Sequence, residues 1–306
     1  MTSRIRYTLI LPLVLSLPFG LRAQTLPLLY NPTDARTMAL GGAGVALEAN
    51  AWAVDANMAA AALSAKDFAG GVAYSYWAPG LLLDNRFSAG GWFRTGAFAV
   101  GVSGKGNFSQ LTELYGPAGE PAGSFSPRDL SVALGGAWMP VSGVAFSATA
   151  RFISSVLGEQ VQGTAFCADL AIHYAFGPIR AGFSAPNLSG PIFYGNTSYP
   201  LPARIRGGAT YSNLWIDATL EAEYLAQAGM MATLGVEGRP LEQAGQPRSW
   251  LALRAAFHFG PADKGLPSFG SAGIGLNFSG LEIDFGVLFG SPVLGGSLCA
   301  GLSYGF

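Results

Sequence analysis

From Gly280 to Gly290 the side chains Leu281, Ile283, Phe285, Val287 and Phe289 alternate with Glu282, Asp284, Gly286 and Leu288, a period of two with charge confined to one face. The next segment repeats the pattern. Leu298, Ala300, Leu302, Tyr304 and Phe306 share one side, with Ser297, Cys299, Gly301, Ser303 and Gly305 on the other. Upstream, Leu251, Leu253, Ala255, Phe257 and Phe259 oppose Arg254 and His258. Leu214, Ile216, Ala218, Leu220 and Tyr224 likewise oppose Asp217, Thr219, Glu221 and Glu223. Reading the chain in this way predicts about fourteen strands, near 68–77, 85–93, 97–104, 129–138, 144–153, 163–176, 179–185, 203–211, 214–225, 230–239, 249–259, 269–278, 281–289 and 296–306.

The apolar face is too continuous to meet water. A secreted β-sandwich also alternates, but its outer face is polar, and a water-facing row such as Leu281 to Phe289 repeated on many strands would aggregate. Lipid requires every backbone polar group to be paired internally, which leaves helices and closed barrels. Downstream of residue 21 glycine, proline and polar residues interrupt every candidate membrane helix. The expected fold is therefore all-β: a transmembrane antiparallel β-barrel with greasy side chains outward and polar ones inward.

Connection lengths agree for the most part. Short links at 94–96, 177–178, 212–213 and 279–280 alternate with long ones at 105–128, 186–202 and 260–268, as expected for periplasmic turns and outer loops. The short link at 226–229 and the long one at 240–247 break the alternation.

Residues 1–23 carry Arg4 and Arg6, an apolar run from Leu9 to Leu21 and a terminal Leu21-Arg22-Ala23, the layout of a cleaved secretory signal. The run is broken by Pro12 and Pro18 and is short for a membrane anchor, and no lipoprotein cysteine follows. The expected organisation is a signal peptide (1–23), an N-terminal plug segment (24–66) and the barrel (67–306). Residues 25–66 do not alternate. They hold Asn31-Pro32, Asp34, Arg36, the cluster Gly41-Gly42-Ala43-Gly44 and an alanine-rich, helix-prone stretch from Asn57 to Ala65. No strand-then-helix unit surrounds the glycines, so tight backbone packing inside a lumen is expected rather than a phosphate cradle.

Composition narrows the functions. Only 11% of the 306 residues are charged, with 17 Lys+Arg against 18 Asp+Glu, while half are apolar and 43 are glycine. Without basic clusters nothing neutralises phosphates, which argues against nucleic-acid binding. Two cysteines, Cys167 and Cys299, make no zinc cluster. Both fall on inward faces of distant strands, so free structural thiols are expected rather than a disulfide. His173 and His258 lie inward on separate strands with no triad motif, and no catalytic, cofactor-binding or metal residue is expected. Arg151, Arg204, Arg206 and Arg254 share the inward side with Asp169, Asp217, Glu221, Glu223, Glu282 and Asp284, and the mixed signs point to a salt-bridged interior. Trp77, Trp92, Trp138, Tyr174, Tyr211 and Trp250 fall at strand ends and are expected in the headgroup girdles.

Asp34-Ala35-Arg36, then Ala39 to Ala46 with its glycine cluster, then Asn57-Met58-Ala59, resemble the opening of the PorV/PorQ family, with Met58 where that family's usual Asn-Pro-Ala has proline. Leu201-Pro202-Ala203-Arg204-Ile205-Arg206-Gly207-Gly208-Ala209-Thr210-Tyr211 and the paired strands to Phe306 form a second similar stretch. The resemblance covers the plug and the last third; the middle matches only in strand pattern. It implies a fourteen-stranded barrel like the FadL fatty-acid transporters, in the outer membrane of Bacteroidota-type bacteria, with partners in a type IX secretion or surface-attachment system. The terminal Tyr304 and Phe306 resemble the carboxy-terminal signature recognised for outer-membrane insertion. Two functions follow as expectations: a scaffold that binds exported proteins through its outer loops, and, as the alternative, a transporter of hydrophobic small molecules.

Overall fold

The computed structural model describes residues 26–77, 84–115, 119–158, 161–188, 190–226, 228–241, 250–261 and 266–306; the expected signal peptide and most of the link at 240–247 lie outside them. The strands are β1 Phe68–Trp77, β2 Asp84–Thr95, β3 Phe98–Ser109, β4 Thr112–Tyr115, β5 Pro121–Phe125, β6 Arg128–Val141, β7 Val144–Gly158, β8 Val161–Phe176 and β9 Ile179–Leu188. They continue with β10 Pro191–Tyr194, β11 Thr197–Pro200, β12 Arg204–Ser212, β13 Ile216–Leu225, β14 Gly229–Gly238, β15 Leu251–Phe259, β16 Phe269–Phe278, β17 Leu281–Phe289 and β18 Leu298–Gly305. Fourteen of these form one closed antiparallel meander, in which β1 pairs with both β2 and β18 and β9 bridges β8 and β12. Closure leaves no open edge in the wall, the condition that lipid imposes on a sheet. Among the described residues no helix is long and apolar enough to cross a membrane.

Two hairpins stand outside the meander. β4 and β5 pair only with each other, and β10–β11 extends the far edge of β8 through Phe193 opposite Thr164 and Tyr194 opposite Gly163. The expected loops at 105–128 and 186–202 are therefore partly strand. β3 runs on to Ser109, which turns Lys105 and Asn107 into buried wall residues.

The side-chain faces follow the alternation. Phe285, Phe289, Leu298 and Leu302 are exposed on the outside, while Arg254, Asp284, Leu288 and Cys299 are buried. Trp138, Tyr174, Tyr211 and Trp250 face outward near the short-turn end, where a girdle is expected. Trp77 and Trp92 do not. Both are buried in the lumen, because the inward parity of their strands places Trp92 in line with Arg86 and Ser88; its Nε1 donates to the Asn50 carbonyl, and the Trp77 ring lies 4.2 Å from the Arg86 guanidinium. Strand parity outranks the preference of an indole for the interface.

The lumen is filled by the N-terminal segment. A 3-10 turn at Pro27–Leu29 is followed by three short helices, α1 Ala35–Ala39, α2 Ala53–Ala56 and α3 Ala59–Ala62. Asp34 caps α1 by accepting from the Thr37 amide at 3.1 Å, and Gly41 and Gly42 leave it with φ of 69° and 91°, a region that favours glycine. Asn57 accepts from the Ala59 amide and donates to the Val45 and Ile172 carbonyls at 2.8 and 3.1 Å, tying the plug to β8. The wall accommodates the plug with glycines. A Cβ on Gly286 would lie 2.7 Å from the Ala35 carbonyl, one on Gly90 2.8 Å from that of Ala51, and one on Gly182 would collide with the Val45 carbonyl. Those inward glycines let backbone pack on backbone, which accounts for part of the unusual glycine content.

Candidate functional site

The plug divides the inward charges into two layers. On its short-turn side Arg36 of α1 donates to Glu237 of β14 at 2.9 Å, Arg254 of β15 donates to the same carboxylate at 2.7 Å, and Arg254 reaches Asp284 of β17 at 2.6 Å. Arg239 joins Glu237 at 3.1 Å and Asp217 at 2.9 Å, and Lys66 pairs with Glu282 at 3.0 Å. The wall glutamate is the hub of this layer. Arg36 keeps its proton more tightly than an ordinary guanidinium, because Glu237 outweighs the burial that opposes its charge.

On the long-loop side Glu221 of β13 accepts from the Gly44 and Val45 amides at 2.8 and 2.9 Å, so the glycine cluster presents backbone N–H groups to a wall carboxylate. Arg206 pairs with Glu221 and donates to the Gly42 carbonyl at 2.9 Å. Arg204 holds Glu223 at 3.3 Å and the Leu29 and Tyr30 carbonyls at 3.2 and 3.1 Å. Asp55 of α2 is gripped by Lys105 at 3.2 Å and Arg151 at 2.8 Å, and Arg151 continues to Asp169 at 2.9 Å. Burial alone raises a carboxyl pKa, yet Lys105 and Arg151 hold Asp55 well below the usual carboxylate range. Apart from Lys66–Glu282, whose side chains are 23% and 15% exposed, these pairs are nearly dry, so each ion is stabilised chiefly by its partner.

Above this floor, toward the long loops, lies a cavity of about 290 Å³. Trp52, Trp77, Met231, Phe269, Leu266 and Leu294 supply apolar surface, and Arg86, Lys105, Arg204, Arg206, Glu221 and Glu223 supply charge among them, Glu223 standing opposite Met231 and Asp84 opposite Trp77. Of the residues singled out in the sequence, Asp34, Gly41, Gly42, Arg204, Arg206, Glu221 and Glu223 line this cavity. Arg36, Arg254, Glu282 and Asp284 border a small hollow on the opposite side of the plug. Gly44 and Asn57 pack within the plug, Arg151 and Asp169 stand behind Asp55, and Tyr304 and Phe306 face outward at the short-turn end. There the Phe306 carbonyl accepts from the Asp67 and Phe68 amides at 2.7 and 3.1 Å and closes the barrel.

Sequence reasoning missed Asp55, Arg86, Lys105 and Glu237. The parity of Thr233 and Gly235 points to an inward Glu237, but the partners of Asp55 stand 50 and 96 positions further along the chain, and no local signal links them. His258 lines the cavity with its Nδ1 2.9 Å from Thr233 Oγ1 and its ring 4.7 Å from that of Phe269, whereas His173 is buried on β8. Both cysteines are free and buried, on β8 and β18. Among the described residues no group of three or more His, Cys, Asp or Glu is arranged to hold a metal ion.

No family model matches the chain, and no curated relative does. Solved structures do. A toluene transporter of Ralstonia pickettii, TbuX, superposes with a TM-score of 0.66 at 13% identity over 90% of this chain and 98% of its own. The monoaromatic hydrocarbon channel CymD gives 0.64 at 12% identity over 90% and 97%, and a Pseudomonas aeruginosa FadL homologue gives 0.57 at 11% over 90% and 96%. The likeness gives the chain the fold of FadL-like outer-membrane barrels, with nothing that singles out PorV or PorQ.

Proposed function

We propose that this barrel transports hydrophobic small molecules across the outer membrane. The observation that carries the reading is the cavity above the plug, whose lining mixes ion-paired charges with apolar side chains and includes Leu266, Phe269 and Leu294 at the long-loop end. A dry apolar cavity of about 150 Å³ accommodates benzene. One of about 290 Å³ holds a larger hydrocarbon or a small amphipathic molecule. The fold shared with a toluene transporter and a monoaromatic hydrocarbon channel supports the same reading. The plug is bonded to the wall on both of its faces, which disfavours an open water-filled pore and suits a selective route.

Protein scaffolding in the PorV/PorQ manner, with a type IX secretion system in a Bacteroidota-type cell, draws no support from the structural neighbours. Purification from native membranes separates the two functions. A hydrophobic small molecule recovered with the barrel, and no stoichiometric protein partner, supports transport. Stoichiometric recovery of secretion components, with no bound small molecule, refutes it in favour of the scaffold.

A further inference from the structure

The charges that line the cavity are already committed. Arg86 stands 3.6 Å from Asp84, Lys105 3.2 Å from Asp55 and Arg204 3.3 Å from Glu223, and Arg206 pairs with Glu221. Asp34, buried at the head of α1, accepts from the Thr37 amide and from Asn50 at 3.1 and 3.3 Å. The atoms of these groups that lack a partner, Arg86 Nη1, Arg204 Nε and Asp55 Oδ2, are too buried for a ligand to reach. An ionised ligand gains a counter-charge here only by taking it from a buried pair, which leaves the displaced ion uncompensated. The cavity therefore suits a neutral molecule.

His258 is a neutral hydrogen-bonding group that the wall holds in place on this cavity. Its ring stacks on Phe269 with centroids 4.7 Å apart and planes 17° from parallel, and its Nδ1 lies 2.9 Å from Thr233 Oγ1 on the neighbouring strand. Thr233 is fixed in turn by the plug, since a Cβ on Gly41 would fall 2.8 Å from its methyl group. Ring position and Nδ1 are thus set by wall and plug together, while Nε2 has no partner among the described residues. Nε2 donates when Nδ1 accepts from Thr233, and it accepts when Nδ1 donates. A hydroxyl group, both donor and acceptor, satisfies either tautomer.

We propose that His258 Nε2 binds the hydroxyl of a neutral hydroxyl-bearing aromatic, a phenol, and so sets the preference of the cavity for phenols over the corresponding hydrocarbons. The inference rests on the transport reading and narrows its substrate class. A hydrocarbon that fills the space beside His258 takes water away from Nε2 and returns nothing, whereas a phenol replaces the lost hydrogen bond. With a hydroxyl pKa of about 10 the phenol stays uncharged at pH 7, so it leaves the ion pairs of the cavity undisturbed. Its ring meets the apolar surface of Phe269, Leu266 and Leu294. A cavity of about 290 Å³ holds such a single ring.

Two molecules that differ by one hydroxyl, toluene and p-cresol, test this. Their dissociation constants are measured by calorimetry on the purified barrel in detergent, for the parent and for His258→Phe, which keeps a ring against Phe269 and removes the nitrogens. The affinity ratio of p-cresol to toluene is expected to fall about five-fold in the variant, the effect of losing one neutral hydrogen bond. A ratio unchanged within two-fold in a folded variant overturns the assignment, while toluene binding by the parent leaves the transport reading standing. A measurement on the parent decides the matter should His258→Phe not fold. The chain has two histidines, and His173 is buried at 2% exposure, so imidazole ¹⁵N spectra report His258 directly. The His258 Nε2 resonance is expected to move with p-cresol and not with toluene; a resonance unmoved by saturating p-cresol overturns the proposal. If the parent binds neither molecule, the cavity is no ligand site, and the transport reading falls together with this one.

Discussion

The guanidinium of Arg36, in the plug, donates to the carboxylate of Glu237, in the wall, at 2.9 Å, and their side chains are only 7% and 1% exposed. Arg254 completes the arrangement from the neighbouring strand. Removing one member of a buried pair costs about 3–5 kcal/mol, because it leaves its partner uncompensated. Glu237→Gln is expected near the lower end, about 3 kcal/mol, since Arg254 retains Asp284. Urea unfolding in lipid vesicles measures the difference, and a loss below about 1 kcal/mol contradicts the hub role of this carboxylate.

Gly182 faces the Val45 carbonyl so closely that no Cβ fits between them. In Gly182→Val the plug is therefore expected to shift from β9 while the barrel still forms, because the outward apolar face and the ladder are unchanged. Planar-bilayer recordings are expected to show raised ion conductance for the variant and little for the parent. Equal conductance contradicts close plug packing as the seal.

Asp55 supplies a pH signature. Its carboxyl is held below the ordinary value by Lys105 and Arg151 against the opposing effect of burial, so its folded-state pKa lies under the unfolded value of about 4. The stability it contributes is complete above that value and is lost as pH falls below it toward the depressed folded value. The gap in unfolding free energy between the parent and Asp55→Asn is expected to be wide at neutral pH and to narrow from about pH 4 downward. A gap that stays constant over that range contradicts the assignment.

Cys167 and Cys299 sit on β8 and β18, separated by β7, β6, β3, β2 and β1 along one way round the barrel. Titration of denatured, unreduced protein is expected to find both thiols. Finding neither contradicts the register of the wall.

The wall was legible because lipid permits one solution: Leu281, Ile283, Phe285, Val287 and Phe289 can alternate with charge only in a closed sheet. The lumen was legible in kind. Inward parity puts Arg204, Arg206, Glu221 and Glu223 on the lumen side with six further charges but does not single them out, and those four line the cavity. The pairing of Arg36 with Glu237, or of Asp55 with Arg151, was not legible, since it depends on how far the plug sits along the barrel axis, which no periodicity encodes. Trp77 and Trp92 misled for a related reason: a tryptophan at a strand end fits a girdle equally well until its parity is fixed by the residues around it.

Uptake bears most directly on the claim that a lipid-facing barrel with a sealed lumen carries hydrophobic molecules through its upper cavity. Outer-membrane permeability to radiolabelled toluene and to sucrose is measured side by side in a deletion strain with and without the restored gene. The account predicts faster toluene entry on restoration and unchanged sucrose entry. Equal toluene entry in both strains, or a rise in sucrose entry to match, contradicts it.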